Sequence, residues 1–467
     1  MAGACLTSLY GGGRTIDRAI ANSDFAAYYC AGTVARSTDP YHAEAIEACR
    51  SGASNPAPLP GYAIAFFSAV SFLPYEPASI AWEVLLAFAL LATVWALRCL
   101  TGISPFALAA AVVGTDLLAG VSFGQLSVIT ALGVALCALF LADQRPRAAA
   151  FAALLTLAQP QIGVPLALAL IIWAPRTRLV TVLGAGLLVA LSFLHLGLSQ
   201  NAEYVERVLP AFAAGEIPLR FQYGLGWILY FFGLDETRAF HIATLQYAVT
   251  VLLAIVVAPA VARRLEAPGV LAAFPALAAV LGGPSVHLSD LAVALPFAAI
   301  AAGSARGRTM GWLALMLLSV PWVILDGIEQ SALGAVTIAA VALFTMADRS
   351  WLVRGTVAAM AAALALGTPY IVAGIPATPL RPAASTFDAS PYGDSLTAVE
   401  HANAIRTQVG LTTPTWPSFV LKAPDWLGLA LAFLAGLAAL LGRGEPLERD
   451  DDDDADLPGF AGLKEEN

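Results

Sequence analysis

The side chains able to carry group-transfer chemistry are few and widely spaced. Asp24 stands in Ser23-Asp24-Phe25-Ala26-Ala27-Tyr28-Tyr29, where a carboxylate is placed to take a proton from a hydroxyl. Asp is also among the best helix N-caps, so a purely structural role at the start of a helix through Tyr28 is the competing reading. His287 closes Gly283-Pro284-Ser285-Val286-His287 and opens an apolar helix. An imidazole there is a donor for phosphate, and Asp290, three residues on and on the same helical face, is placed to orient it. Simple pairing of the two is the alternative. Arg220, in Leu219-Arg220-Phe221-Gln222-Tyr223, offers phosphate a two-bond grip; as an interfacial anchor it would sit with Phe221, Tyr223 and Trp227. Arg36 is a weaker candidate of the same kind. Asp116 and Glu83 lie inside apolar runs, where ionisable groups are expensive and face a cavity or a partner.

The elements that must position these groups are membrane helices. The hydrophobic fraction is 59%, charged residues make up 12%, and mean hydropathy is +0.75. A soluble fold of 467 residues has no way to hide so much apolar surface. Apolar runs recur at 78–97, 104–120, 124–142, 148–158, 161–173, 179–197, 240–262, 270–284, 288–303, 309–325, 330–346, 352–371 and 425–442, so the sequence predicts an all-α polytopic protein with about 11–13 crossings. The pair within 148–173 is short and reads as a re-entrant hairpin around Gln159-Pro160-Gln161. Two stretches, 61–74 and 223–234, are too short to span and read as interfacial helices.

Arginines mark alternate turns: Arg98, Arg145 and Arg147, Arg176 and Arg178, Arg263 and Arg264, Arg306 and Arg308, Arg349 and Arg354, and Arg443. The positive-inside rule makes these turns cytoplasmic. Parity then puts residues 1–77, 198–239 and 372–424 outside, with all five histidines (His42, His195, His241, His287 and His401) on that face. The chain divides into an external catalytic loop with an interfacial helix (1–77), a membrane domain (78–442) and an acidic cytoplasmic tail (443–467). From Gly444 onward, ten acids against Arg449 and Lys464 leave −8 of the chain's −9. Such a run is a solvated disordered tail, with weak cation or partner binding as the minor alternative. Cys30 and Cys49 share the first external segment, where a bridge is plausible; Cys99 and Cys137 read as apolar filler. No feature points to nucleic acid.

Taken in order, Asp24 with its tyrosines, Thr38-Asp39-Pro40-Tyr41-His42, Leu59-Pro60-Gly61-Tyr62, Phe123-Gly124-Gln125-Leu126-Ser127, Gln159-Pro160-Gln161, His287 and Leu295-Pro296 resemble the C-type (GT-C) glycosyltransferases. The resemblance is to glycosyltransferase family 87, the polyprenyl-phosphate-mannose-dependent type. It covers nearly the whole chain in motif order. Gln159 stands where the family commonly has a basic residue, and Pro60-Gly61 replaces its Pro-Pro. The family also places a helix before this first loop, so the resemblance implies a natural product with an additional N-terminal helix.

The resemblance implies a GT-C-like bundle that moves a hexose (mannose-like) or pentose from a polyprenyl-phosphate donor to a lipid or glycan acceptor. It would act on the periplasmic face of a bacterial inner membrane. The family's external acid falls on Asp24, its late histidine on His287 and its Gly-Gln pair on Gly124 and Gln125. Glycosyl transfer needs a base for the acceptor hydroxyl and donors for the departing phosphate, because charge builds on both. Asp24 suits the first role; His287, Arg220 and Gln125 suit the second, with Asp116, Asp290 and Tyr28 in support. No paired-Asp motif specifies a metal and no cofactor is implied, while the carboxylates leave a divalent ion open. A transporter or flippase of lipid-linked substrates is the alternative; it would put its ionisable groups near the midplane, whereas here they gather toward one face.

Overall fold

A computed structural model describes residues 23–42, 45–46, 49, 57–219, 221–325, 327–346, 349–376, 399 and 414–441. Among them the fold is helical throughout, and it is a polytopic membrane protein. Six helical stretches are long and apolar enough to cross a bilayer: Tyr75–Thr101, Pro175–Glu216, Glu236–Leu265, Ile328–Thr345, Trp351–Ala373 and Trp416–Leu441. The other expected crossings are shorter apolar helices packed among these.

Local sequence sets where the helices break. Helix α1 (Ser23–Val34) and α2 (Gly61–Val70) precede the first long helix, α3 (Tyr75–Thr101). The chain leaves α3 through Gly102, whose φ of 69° is left-handed and suits a residue without Cβ. Prolines then start the next helices at their first position, where a missing N–H costs nothing: Pro105 opens α4 (Pro105–Val112), and Pro146 opens α6 (Pro146–Thr156) after α5 (Ser127–Ala142). Pro160 opens α7 (Pro160–Trp173). Gln159, ahead of it, is extended, and so the 148–173 stretch folds as two short packed helices meeting at Gln159.

The long α8 (Arg178–Glu203) kinks at Gly197, φ 75°. Asn201 repairs the break by donating to the carbonyls of Gly197 (2.6 Å) and Ser192 (3.1 Å). A π-helical turn and α9 (Leu209–Glu216) follow, then the short α10 (Leu225–Phe231) in the stretch read as interfacial. Next come α11 (Glu236–Leu265), α12 (Val270–Gly282), a 3₁₀ segment (Leu288–Ala294) and α13 (Leu295–Gly303). The last described helices are α14 (Arg308–Leu318), α15 (Ile328–Thr345), α16 (Trp351–Ala373) and α17 (Trp416–Leu441).

The 3₁₀ segment, α12 and α13 form the centre. Leu288 through Ala302 are all buried, whereas α8 and α16 expose leucines, valines and isoleucines along most of their length. Such exposed apolar faces suit lipid rather than water. Small residues permit close helix contact at the centre: a Cβ on Gly311 would sit 2.4 Å from the backbone of Ala302, and one on Gly163 2.6 Å from that of Thr156. The first segment is braced by a Cys30–Cys49 disulfide. Cys137 is buried, as expected of a filler; Cys99 is exposed.

Candidate active site

Asp24 lies in the first turn of α1, partly exposed. The next residue fixes it in place. Phe25 is fully buried and stacks on Trp82, ring centroids 5.9 Å apart and 22° from parallel. Gly124 closes over the same ring with φ 77°; a Cβ there would fall 2.7 Å from the Cβ of Phe25. Trp82 Nε1 donates to the Gly124 carbonyl at 2.9 Å. The Gly-Gln pair therefore abuts the helix of Asp24, and glycine is needed both for its φ and for the close approach. Gln125 follows, its buried Oε1 without a protein partner.

His287 is held from the opposite direction. Gln222 and His287 form an antiparallel bridge, with Tyr223 N–H donating to Val286 O at 2.8 Å. The Gln222 side chain accepts from Val286 N–H (2.7 Å) through Oε1, and its Nε2 lies 3.1 Å from both Glu216 Oε2 and His287 Nε2. His287 Nε2 itself is 3.2 Å from Glu216 Oε2. Asp290 does not orient the ring. Its Oδ2 accepts from the backbone N–H of His287 (2.9 Å), which pins the start of the 3₁₀ segment, and its Oδ1 accepts from Gln159 Nε2 (2.8 Å). The ring is instead aligned by Glu216 and Gln222.

Tyr28 joins the two halves. Burial of its hydroxyl, then the nearby carboxylates of Asp24 and Asp290, hold the phenol well above its ordinary range. Tyr28 thus stays a neutral donor between the acid of α1 and the acid of the 3₁₀ segment. Tyr28 is within electrostatic reach of both Asp24 and Asp290; Asp290 holds the backbone of His287, and Gly124, ahead of Gln125, packs on Phe25. Buried side-chain oxygens without a protein partner line these elements: Gln125 Oε1, Ser127 Oγ and Gln159 Oε1. Buried polar atoms are nearly always paired, so such a group suits a polar ligand or water.

Among the described residues, Arg36 and His195 stand apart from these contacts. Arg220 lies outside the described residues. The backbone of Asp116 belongs to a π-helical segment, Val113–Val121; its side chain is not among those described. Arg36 is occupied near the carbonyls of Thr33 and Ser71 (both 3.4 Å) and over the Phe72 ring at 4.8 Å. His195 meets Ser68 Oγ at 2.9 Å.

Two residues enter that sequence reasoning missed. Glu216 is wholly buried beside His287. Lys422 is wholly buried in α17, donating to the Gln222 carbonyl at 2.7 Å with its Nζ 3.2 Å from the Trp227 ring centroid. Each is an ionisable residue beside or within an apolar run, the signal that marked Asp116 and Glu83.

Residues 60–288 match the model of glycosyltransferase family 87. No curated protein and no solved structure matches the chain. The matched span takes in Gln125, Gln159, Glu216, Gln222 and His287; Asp24 precedes it, and Asp290 and Lys422 follow. Residues 60–288 thus form a glycosyltransferase family 87 domain, and with its apolar helices the protein is a multi-pass membrane glycosyltransferase.

Proposed function

We propose that the chain transfers a hexose or pentose from a polyprenyl-phosphate donor to a hydroxyl of a lipid or glycan acceptor, at the external face of a bacterial inner membrane. The observation that supports this reading is that Tyr28 lies within electrostatic reach of both Asp24 and Asp290, with the backbone of His287 held by Asp290. In this reading the acid takes the acceptor's proton and the imidazole faces the departing phosphate.

In the proposed reaction the acceptor oxygen forms a bond to the anomeric carbon as the bond from that carbon to the phosphate oxygen breaks. The acceptor proton passes to the Asp24 carboxylate. The electron pair of the broken bond leaves on the phosphate, whose added charge is met by hydrogen-bond donors. His287 supplies one such donor through Nδ1–H when both ring nitrogens carry protons, its Nε2–H facing Glu216. Glu216 and Gln222 hold its ring, so the donor is oriented before substrate arrives. Gln125, with an amide group that has no protein partner for its oxygen, supplies another through its NH₂. Tyr28, a neutral phenol within electrostatic reach of Asp24 and Asp290, adds no charge beside the base.

The test is transfer by the purified protein in lipid nanodiscs, from a short-chain polyprenyl-phosphate mannose to membrane-extract acceptors. Release of polyprenyl phosphate matched by sugar in an acceptor is the expected result. Movement of the intact donor across the bilayer without cleavage would replace transfer with transport.

A further inference from the structure

A second cluster of chemically capable side chains lies outside the contacts described above. Asp39 and His42 stand in the Asp39-Pro40-Tyr41-His42 turn, and Glu203 ends α8. One ligand atom from each lies within 4.8 Å of the other two. His42 Nε2 is 3.6 Å from Asp39 Oδ2 and 4.0 Å from Glu203 Oε1. Those separations exceed the roughly 2.7–2.9 Å of a charge-assisted hydrogen bond. They are close to the edges of a coordination polyhedron: tetrahedral bonds of about 2.0–2.1 Å give ligand separations of about 3.4 Å.

Both sides of the cluster are braced. The Tyr41 N–H takes Asp39 Oδ1 at 2.9 Å, which turns Oδ2 toward His42. Tyr41 stacks on Tyr204, the residue after Glu203, with ring centroids 5.8 Å apart. Its hydroxyl donates to Leu59 O at 2.7 Å. The kink at Gly197 directs the end of α8. The carboxyl groups of Asp39 and Glu203 also meet in a side-chain hydrogen bond that needs a shared proton; a cation between them takes that proton's place. Arg207 lies within electrostatic reach of Glu203. With a neutral imidazole, two carboxylates and one guanidinium still leave the site net negative. A surface cleft of about 400 Å³ lined by Thr38, Asp39, His42 and Ala45 opens onto the cluster and leaves room for water ligands.

We propose that Asp39, His42 and Glu203 bind one divalent transition-metal ion of the zinc or manganese type, tying the disulfide-closed first segment to the end of α8. One imidazole with two carboxylates suits zinc or manganese better than calcium or magnesium, which favour all-oxygen sites. Binding of the ion does not depend on the transfer reaction.

The test is zinc titration of the full chain in nanodiscs, without a polyhistidine tag, after removal of metal by chelator. The expected result is one saturable zinc site, weakened at least about tenfold by His42→Ala and by Glu203→Gln, with calcium unable to compete at equal concentration. Zinc should raise the melting temperature of the wild type and leave that of Glu203→Gln unmoved. If the variants prove unstable, zinc-edge X-ray absorption of the wild-type 1:1 complex decides, and one imidazole nitrogen with oxygen ligands is expected. The absence of a saturable site, equal binding by wild type and folded His42→Ala, or a ligand shell lacking imidazole would each overturn the proposal and leave the acidic tail as the chain's cation binder.

Discussion

His287 Nε2 lies 3.2 Å from Glu216 Oε2, and Glu216 has no exposed surface. A carboxylate removed from water and facing one ring nitrogen fixes which nitrogen carries the proton and how the ring stands. Gln222 closes the arrangement by reaching both groups. Glu216→Gln preserves the volume and removes the charge. Transfer is expected to fall by about 10²-fold or more, the scale of a misplaced proton donor, with near-normal yield and melting. Full activity in this variant would show that His287 needs no anion behind it.

Much of this arrangement was legible in the sequence, for reasons that can be named. Helix positions follow from apolar runs, and breaks from prolines at first helical positions, as at Pro105, Pro146 and Pro160. Gly124 and Gln125 were singled out by motif order, and the structure adds the physical ground: a left-handed glycine pressed on Phe25. What stayed hidden were pairings across great sequence distance. Glu216 and His287 are 71 residues apart, and Lys422 reaches Gln222 across 200. No periodicity encodes such contacts. Asp290 was expected to orient the His287 ring, since a residue three along a helix shares its face. In the structure the chain begins a 3₁₀ turn there and the carboxylate caps the backbone instead.

Gly124→Ala probes the seat of α1. The left-handed conformation alone costs an ordinary residue about 1–2 kcal/mol, and the new methyl would fall 2.7 Å from Phe25 Cβ, adding an overpacking cost of about 1–3 kcal/mol. A melting temperature lower by several degrees is expected, together with reduced transfer, because Asp24 is displaced with Phe25. Thermal unfolding and transfer assays on the same preparation check both effects.

Lys422→Met keeps most of the side-chain length and removes the ammonium. The Gln222 carbonyl then loses its donor at 2.7 Å. Leaving a buried carbonyl without its donor costs about 1–3 kcal/mol, and the contact of Nζ with the Trp227 ring is lost with it. A melting temperature lower by several degrees is expected, and thermal unfolding of the variant checks it; unchanged melting would show that the Gln222 carbonyl needs no donor.

Topology follows from the arginine alternation. Reporter fusions after Asn55 and Ser395 are expected to report the external side, and a fusion after Asp456 the cytoplasm. Placement of the first two in the cytoplasm would turn the proposed active site to the wrong face.

The central claim is that Asp24 takes the acceptor's proton. Asp24→Asn preserves shape and hydrogen bonding and removes basicity. The direct measurement is the rate of sugar transfer from a polyprenyl-phosphate donor by this variant in nanodiscs, alongside donor binding and melting temperature. The account predicts transfer lower by about 10²–10⁴-fold, with donor binding and melting close to wild type. Transfer at the wild-type rate would contradict it.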